Sequence, residues 1–309
     1  MNQPYFKIFF MAIRPKTLIA SIAPVFIGTS MAIGDGIEHI PTAIGCLLAA
    51  LAIQIATNLT NDYFDFKNGA DTSQRLGPTR VMQAGLISPT VMRMAILLTF
   101  GLAILACYYL VKRGGWPIAV IGVLAVLSGF FYTAGRRPLG YLGLGDLFVF
   151  IFFGPVAVAG TYYVQSLEIN TAVILAGFAP GFLSVGILTI NNLRDILSDA
   201  KSNKLTLAVR FGRGFALSEY LFSILAASLM PVVIYYVIQD HEDILISTII
   251  SILAIPTLKT VLTKIDGPSL NKALESTGKL LLVYSILFSI GWVSFLHIFQ
   301  YVRLVFKKI

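Results

Sequence analysis

Charged residues and cysteine are scarce in this chain, and each shortage excludes a class of protein. Only 12% of the 309 residues are charged, whereas 57% are hydrophobic, and the mean hydropathy is +0.82. Such a composition leaves too little polar surface for a soluble globular protein. The two cysteines, Cys46 and Cys107, lie inside apolar stretches without metal-ligand spacing, which excludes a disulfide framework and a zinc site.

Nine uncharged stretches predict an all-α integral membrane protein. Most approach the roughly 20 residues that a helix needs to cross the hydrocarbon core, and helices satisfy every backbone amide within the segment. No alternating pattern of a membrane β-barrel is present. The stretches cover residues 17–33, 39–61, 94–111, 114–135, 147–167, 169–193, 220–239, 244–258 and 280–302. We therefore predict nine transmembrane helices in one domain that spans residues 1–309, with the short eighth helix extended by Lys259 or matched by a thinner bilayer.

The basic residues predict the orientation. Most of the 23 lysine and arginine residues fall in segments that are cytoplasmic if the N-terminus is inside, so we expect the N-terminus in the cytoplasm and the C-terminus outside. The net charge of +8 then favours anionic lipid headgroups and an anionic substrate as partners, not nucleic acid. We expect no cleavable signal peptide, because the first apolar stretch runs directly into the multi-span pattern.

Two acidic rows stand at the ends of the second and sixth predicted spans. Asn61 and Asp65 are four residues apart, as are Asn191, Asp195 and Asp199, so on continued helices each set lies on one face. Carboxylates on one face repel each other unless a cation lies between them, and hard divalent cations such as Mg²⁺ prefer oxygen ligands. The alternative interpretation is that each set is an ordinary helix end capped by Asn and Asp.

Basic residues accompany both rows in two long predicted cytoplasmic loops, 62–93 and 194–219. They are Lys67, Arg75 and Arg80 after the first row, Arg194, Lys201 and Lys204 around the second, and Arg136 and Arg137 between them. Metal-binding carboxylates mixed with basic side chains suit a diphosphate. The excess of Lys and Arg in cytoplasmic loops would by itself explain any one of these basic residues. With an apolar interior behind it, this pattern favours a prenyl diphosphate, and Tyr63 and Tyr132 adjoin the loops where an aromatic ring would shield an allylic cation.

These motifs are similar to those of the membrane-embedded aromatic prenyltransferases of the UbiA superfamily. The resemblance rests on residues 14–18, 58–71, 77–81, 85–89, 140–146, 153–163 and 191–212. The N-D-Y-x-D-x-x-x-G-x-D form of residues 61–71 is more typical of the branch that uses dihydroxynaphthoate than of the hydroxybenzoate branch. Three places depart from the usual pattern: Asp146 replaces a Glu, Arg136 and Arg137 replace a single basic residue, and Asn203 replaces a Gly.

The resemblance implies a fold, a reaction and a set of site residues. The implied fold has nine transmembrane helices around a central cavity in the cytoplasmic (inner) membrane, with cytoplasmic cap loops at 62–93 and 194–219.

Implied ligands of Mg²⁺ are Asn61, Asp62, Asp65, Asp71, Asn191, Asp195 and Asp199. Implied diphosphate contacts are Arg14, Lys67, Arg80 and Lys204, to which the basic pair adds Arg137. We expect Asp65, Asp195, Lys67 and Tyr132 to be catalytic. The implied reaction moves a polyprenyl chain from its diphosphate to 1,4-dihydroxy-2-naphthoate, with loss of CO₂ and diphosphate, and gives demethylmenaquinone.

Two alternatives stay open. The same fold and donor would serve another aromatic acceptor: homogentisate, 4-hydroxybenzoate, haem or a chlorophyllide. A secondary transporter with two repeats is suggested by the interruptions at Pro24, Pro155 and Pro180. Transporters place ionisable groups near the bilayer midplane, whereas the acidic rows lie at span ends, which favours diphosphate chemistry.

Overall fold

The computed structural model describes residues 4–69 and 76–294, and within these ranges the regular elements are helices only. They are α1 (Tyr5–Ile13), α2 (Pro15–Gly34), α3 (Ile40–Lys67), α4 (Pro89–Gly114), α5 (Trp116–Phe131), α6 (Gly145–Phe152), α7 (Pro155–Ser166), α8 (Thr171–Ala176), α9 (Phe178–Lys201), α10 (Leu207–Ile238), α11 (Ile250–Leu253), α12 (Ile255–Thr263) and α13 (Gly267–Val293). Two 3₁₀ helices, Leu139–Leu142 and Glu242–Ile249, complete the set. The predicted all-α class is confirmed for the described ranges.

Within the described residues, eight segments are long and apolar enough to cross a membrane. They are Pro15–Gly34, Ile40–Lys67, Pro89–Gly114, Gly145–Ser166, Thr171–Lys201, Leu207–Ile238, Glu242–Thr263 and Gly267–Val293. The segment at the fourth predicted position, α5, has only 16 residues and is shorter than the usual crossing length. The protein is therefore a multi-pass membrane protein, whereas the count of nine spans and the orientation of the termini stay predictions.

Helix starts follow capping chemistry that is visible in the sequence. The Ser88 hydroxyl accepts the Val91 amide at 3.4 Å before α4, and the Asp266 carboxylate accepts the Ser269 amide at 2.9 Å before α13. Each such bond satisfies one of the amides that have no partner within the helix. Capping therefore fixes where these two spans begin.

The last two spans differ from the sequence prediction in their bounds. The ninth predicted span starts at residue 280, but α13 starts at Gly267, because its charges lie on an exposed face where Glu275 pairs with Lys16 and Lys279. Residues 295–302 of that prediction lie outside the described ranges. The eighth span opens with the 3₁₀ helix Glu242–Ile249, which rises about 2.0 Å per residue instead of 1.5 Å and lengthens its reach.

The connections beside the acidic rows are shorter than the predicted loops. Helix α3 continues to Lys67 and α9 to Lys201, and α10 already begins at Leu207. Most of 194–219 and both ends of 62–93 are therefore helical, and the cytoplasmic cap stays a prediction. The consequence for the site is that both acidic rows lie on rigid helices.

Two mid-span breaks let the helices pack closely. Helices α6 and α7 meet at Gly154, and α8 and α9 meet at Gly177. A Cβ atom on Gly154 would lie 2.6 Å from the Gly177 carbonyl oxygen and 2.8 Å from the Gly181 Cα. Irregular backbone at membrane depth is tolerated where protein surrounds it, and this crossing of two breaks meets that condition.

Candidate active site

A central cavity of about 340 Å³ connects a polar mouth with an apolar end. Residues at the mouth include Arg14, Asn61, Asp65, Arg80, Asn191 and Lys204. The apolar end is lined by Val25, Cys46, Ala49, Leu110, Ile118 and Val164, which also form one of the buried hydrophobic clusters. Along α3, the distance from Asp65 at the mouth to Cys46 at the apolar end is about 28 Å at ~1.5 Å per residue. The cavity therefore extends through most of the thickness of a bilayer core.

The first acidic row faces this mouth from α3. The Thr133 hydroxyl donates to the Asn61 side-chain oxygen at 2.8 Å. Asp65 accepts the Tyr141 hydroxyl at 2.9 Å on one oxygen and the Arg80 guanidinium at 3.2 Å on the other. Asp65 and Arg80 are both buried. This part of the mouth therefore holds a carboxylate and an amide oxygen in fixed positions beside a cation.

Asn58, one turn before Asn61 on α3, fixes the turn that carries Arg14. Its side-chain NH₂ donates to the Ile13 carbonyl oxygen at 2.8 Å and to the Thr17 hydroxyl at 3.1 Å. Between these two partners Arg14 adopts a left-handed conformation with φ 56°, which costs a non-glycine residue roughly 1–2 kcal/mol. Asn58 therefore holds a strained turn that brings Arg14 to the cavity.

Asp62 contacts the loop that carries Arg80. Its carboxylate accepts the backbone amides of Val81 at 3.2 Å and of Met82 at 3.4 Å, and only 1% of the residue is exposed. Asp62 is not among the described residues that line the cavity. In this structure Asp62 anchors the loop next to Arg80, and its assignment to a metal stays a prediction.

Arg194 organises the second acidic row on α9. It donates to both oxygens of Asp195, at 2.8 and 2.5 Å, and to the Asn191 side-chain oxygen at 2.7 Å. Its third nitrogen donates to Asn271 on α13 at 2.7 Å, and Asn271 donates in turn to the Leu76 carbonyl oxygen at 3.1 Å. This bonding connects the second row with the last helix and with the loop after α3.

Asp199 lies at the end of the second row and carries an unused oxygen. Lys204 approaches one carboxylate oxygen at 3.5 Å, while the other is buried without a hydrogen-bond partner in the described part of the chain. Asn203 takes a left-handed φ of 55°, which Gly adopts freely and Asn tolerates; this turn brings Lys204 back to Asp199. The Asn that replaces Gly at 203 is therefore compatible with the site.

The two rows converge. Asp199 is repelled by the charges of Asp195 in its own row and of Asp65 in the other. Tyr141 lies between the rows: burial raises the pKa of its phenol above the ordinary value, and the carboxylates of Asp65 and Asp199 raise it further. Asp65 and Asp199 therefore lie near each other, with Asp65 in the cavity lining and Asp199 behind it, next to Lys204.

The donor set fits a magnesium–diphosphate complex better than a metal held by protein alone. No group of three His, Cys, Asp or Glu side chains within residues 4–69 and 76–294 is arranged to hold a metal ion. Mg²⁺ usually takes one or two carboxylates and completes its shell with water and phosphate oxygens. Asn61, Asp65 and the unused oxygen of Asp199 supply such a partial set.

Five predicted site residues are absent from the described lining of the cavity: Asp62, Lys67, Arg137, Asp195 and Asp199. Lys67 is exposed at the end of α3, and Arg137 is exposed in the turn after α5. Asp71 lies outside the described residues. The roles assigned to these six residues stay predictions.

Tyr132 lines the cavity, as its predicted role requires. A Cβ on Gly140 would lie 3.0 Å from its ring, and a Cβ on Gly145 would lie 2.7 Å from its hydroxyl. The two glycines therefore leave room for the Tyr132 ring and hold it in place. Two residues beside the rows were missed: Tyr141, which donates to Asp65, and Asn271, which accepts from Arg194. Tyr141 has a signal in the Gly-rich run 140–146, whereas Asn271 has none because its contacts are distant in sequence.

The fold and the site together define a class: a multi-pass helical membrane protein that presents paired acidic and basic side chains at the mouth of an apolar cavity. Residues 21–286 match the UbiA prenyltransferase family. The chain belongs to this family and is a prenyltransferase.

Relatives agree with this assignment. The 1,4-dihydroxy-2-naphthoate octaprenyltransferase of Escherichia coli is 36% identical over 91% of this chain and 93% of its own length. The enzyme of that name from Bacillus subtilis is 35% identical over 75% of this chain and 73% of its own. A UbiA homolog from Archaeoglobus fulgidus, solved with GPP and Mg²⁺, covers 93% of this chain and 99% of its own with a TM-score of 0.66 at 15% identity. At that identity the likeness supports the fold alone.

Proposed function

We propose that the protein transfers a polyprenyl chain from polyprenyl diphosphate to 1,4-dihydroxy-2-naphthoate in a Mg²⁺-dependent reaction of menaquinone biosynthesis. The observation that carries this proposal is the convergence of two acidic rows and their cations at the mouth of one apolar cavity. The acceptor is taken from the names of relatives, of which the Escherichia coli enzyme matches 91% of this chain.

The mouth suits the diphosphate of the donor. Arg14, Arg80 and Lys204 all line it and would bind and neutralise the diphosphate oxygens. Asn61, Asp65 and Asp199 would hold Mg²⁺, with Asn191 and Asp195 fixed beside them by Arg194. Bound Mg²⁺ would supply charge neutralisation that makes diphosphate a good leaving group.

The cavity below the mouth suits the prenyl chain. Its apolar end offers hydrocarbon surface, which favours burial of an isoprenoid tail and would exclude water around it. Tyr132, at the same cavity wall, presents an electron-rich ring to the carbon that loses diphosphate, and such a ring stabilises a delocalised cation. Water exclusion also protects that cation from hydrolysis.

The acceptor completes the reaction. The ring carbon that bears the carboxylate would form a bond to the allylic carbon of the donor. The C–COO⁻ bond of that ring carbon would then break, its electron pair would return to the ring, and CO₂ would leave. The product is the quinol form of demethylmenaquinone. The positive-inside distribution of Lys and Arg supports a site that faces the cytoplasm from the inner membrane. On that side the charged diphosphate and the carboxylated acceptor would reach the site from water.

The test uses the purified full-length protein in detergent. It receives a polyprenyl diphosphate, Mg²⁺ and one acceptor at a time: 1,4-dihydroxy-2-naphthoate, 4-hydroxybenzoate or homogentisate. We expect diphosphate release with the naphthoate and a product mass that shows loss of the carboxyl group. Release with another acceptor only would contradict the proposed acceptor, and no release with any acceptor would contradict the proposed reaction. Asp243→Ala, in the 3₁₀ helix remote from the mouth, is the matched control and should retain full activity.

A further inference from the structure

Two serine hydroxyls in the cavity wall lack the partner that buried hydroxyls on helices normally have. Such a hydroxyl usually bonds the carbonyl oxygen four residues earlier, as Thr189 does with Val185 at 2.9 Å and Ser228 with Ile224 at 2.8 Å. Ser21 and Ser184 are each only 3% exposed. Their hydroxyl oxygens have no hydrogen-bond partner among residues 4–69 and 76–294.

Both serines lie at a similar depth along the cavity. Ser21 on α2 and Ser184 on α9 line the cavity, and these two helices are in contact. Ser21 follows Arg14 by about two helical turns, and Ser184 precedes Asn191 by about two turns, so each serine lies roughly 10 Å below the mouth. The two serines therefore lie on neighbouring helices at a similar depth below the site for diphosphate.

The prenyl donor has nothing to offer these hydroxyls. Its diphosphate belongs at the mouth and its tail is a hydrocarbon, which suits the apolar end between α3, α4, α5 and α7, where Cys46, Leu110 and Ile118 lie. A buried hydroxyl without a partner costs free energy, and orphaned groups of this kind are often explained by a ligand. The remaining reactant, an arene with ring hydroxyl groups, carries hydrogen-bonding groups and must stand next to the reacting carbon below the mouth.

We propose that Ser21 and Ser184 form the subsite that binds the ring hydroxyl groups of the aromatic acceptor. Each serine both donates and accepts hydrogen bonds, so the pair matches phenolic hydroxyls in either direction. This inference rests on the proposed function, because it takes a hydroxylated arene as the second substrate. The two serines are binding residues that set acceptor specificity, and they take no part in the departure of diphosphate.

Three alanine variants test the subsite. Ser21→Ala and Ser184→Ala should each raise KM for 1,4-dihydroxy-2-naphthoate by about five- to tenfold, as the loss of one hydrogen bond does, and leave KM for polyprenyl diphosphate unchanged. Their Tm should equal or exceed that of the wild type, because an unsatisfied buried group is removed. Ser289→Ala is the matched control: its hydroxyl is also buried and without a partner in the described residues, but Ser289 is not part of the described cavity lining. It should show the same Tm behaviour and an unchanged acceptor KM.

Acceptor binding without donor, measured as an acceptor-induced rise in Tm, separates this inference from the proposed function. Wild-type protein that binds the naphthoate but releases no diphosphate would contradict the reaction and leave the serines testable by binding. An acceptor affinity within twofold of wild type in both serine variants would overturn the subsite. Equal changes in donor and acceptor KM, or the same loss in Ser289→Ala, would overturn it as well.

Discussion

Asp62 offers the sharpest test of how the mouth is built. Its carboxylate accepts the amides of Val81 and Met82 at 3.2 and 3.4 Å in a site that is 1% exposed. A hydrogen bond to a charged group contributes about 1.5 kcal/mol or more, so Asp62→Ala should lower the free energy of unfolding by about 3 kcal/mol. For a chain of this size that corresponds to a fall in Tm of roughly 6 °C.

The same change should affect one substrate selectively. The loop held by Asp62 carries Arg80, which reaches Asp65 at 3.2 Å, so a released loop misplaces a cation assigned to the diphosphate. We expect KM for polyprenyl diphosphate to rise in Asp62→Ala, while the Mg²⁺ concentration for half-maximal rate stays the same. Asp62→Asn keeps one acceptor oxygen and should be intermediate in Tm.

The assay combines thermal unfolding in detergent with initial rates of diphosphate release at varied Mg²⁺ and varied donor. If Asp62 is instead a metal ligand, as the family resemblance implies, Asp62→Ala will need at least tenfold more Mg²⁺ and keep the wild-type Tm. That pair of results would refute the loop-anchor reasoning.

Three further predictions concern the carboxylates, the metal and pH. Asp65→Ala and Asp195→Ala should each abolish diphosphate release, and both should also lower Tm by roughly 5 °C or more, because each breaks a buried ion pair; retained turnover in either variant would contradict the site. Removal of divalent cations with EDTA should stop turnover and Mg²⁺ should restore it, whereas EDTA-resistant release of diphosphate would exclude a metal-dependent reaction. The pKa of Tyr141 is raised by burial and by nearby carboxylates, so its neutral form stabilises the fold below the ordinary phenol pKa of about 10, and this contribution is lost as pH rises above that value. Wild-type Tm should therefore fall more steeply than that of Tyr141→Phe above pH ~10, and parallel Tm curves would contradict it.

The acidic rows were predictable because helices carry their own periodicity. Asn61 and Asp65 follow an uncharged span without a helix-breaking residue, so continuation of α3 through both is the simplest expectation, and the structure has it. The same reasoning holds for Asn191, Asp195 and Asp199 on α9. The spacing of residues along one helix can be read from the sequence because it does not depend on how that helix packs against others.

The partners of these rows were not predictable in the same way. Arg194 is adjacent to Asp195 in sequence, yet its bond to Asn271 requires α9 and α13 to be neighbours. The early start of α13 was missed for a related reason. The charges of Glu275 and Lys279 lower the hydropathy of this segment, but in the helix both residues lie on an exposed face. Which face a charge occupies depends on tertiary packing.

Charge pairing at the mouth explains how the site exists before substrate arrives. Asp65 pairs with Arg80, Asp195 with Arg194 and Asp199 with Lys204, so each carboxylate of the two rows has a cation beside it. Breaking a buried pair without replacement costs several kcal/mol. On the proposed function, Asp65 and Asp199 would hold Mg²⁺ in place of their cationic side chains, and Arg80 and Lys204 would bind diphosphate oxygens in place of carboxylate. Binding of Mg²⁺ and binding of diphosphate would then favour each other, because each would compensate the charges that the other draws away from these ion pairs.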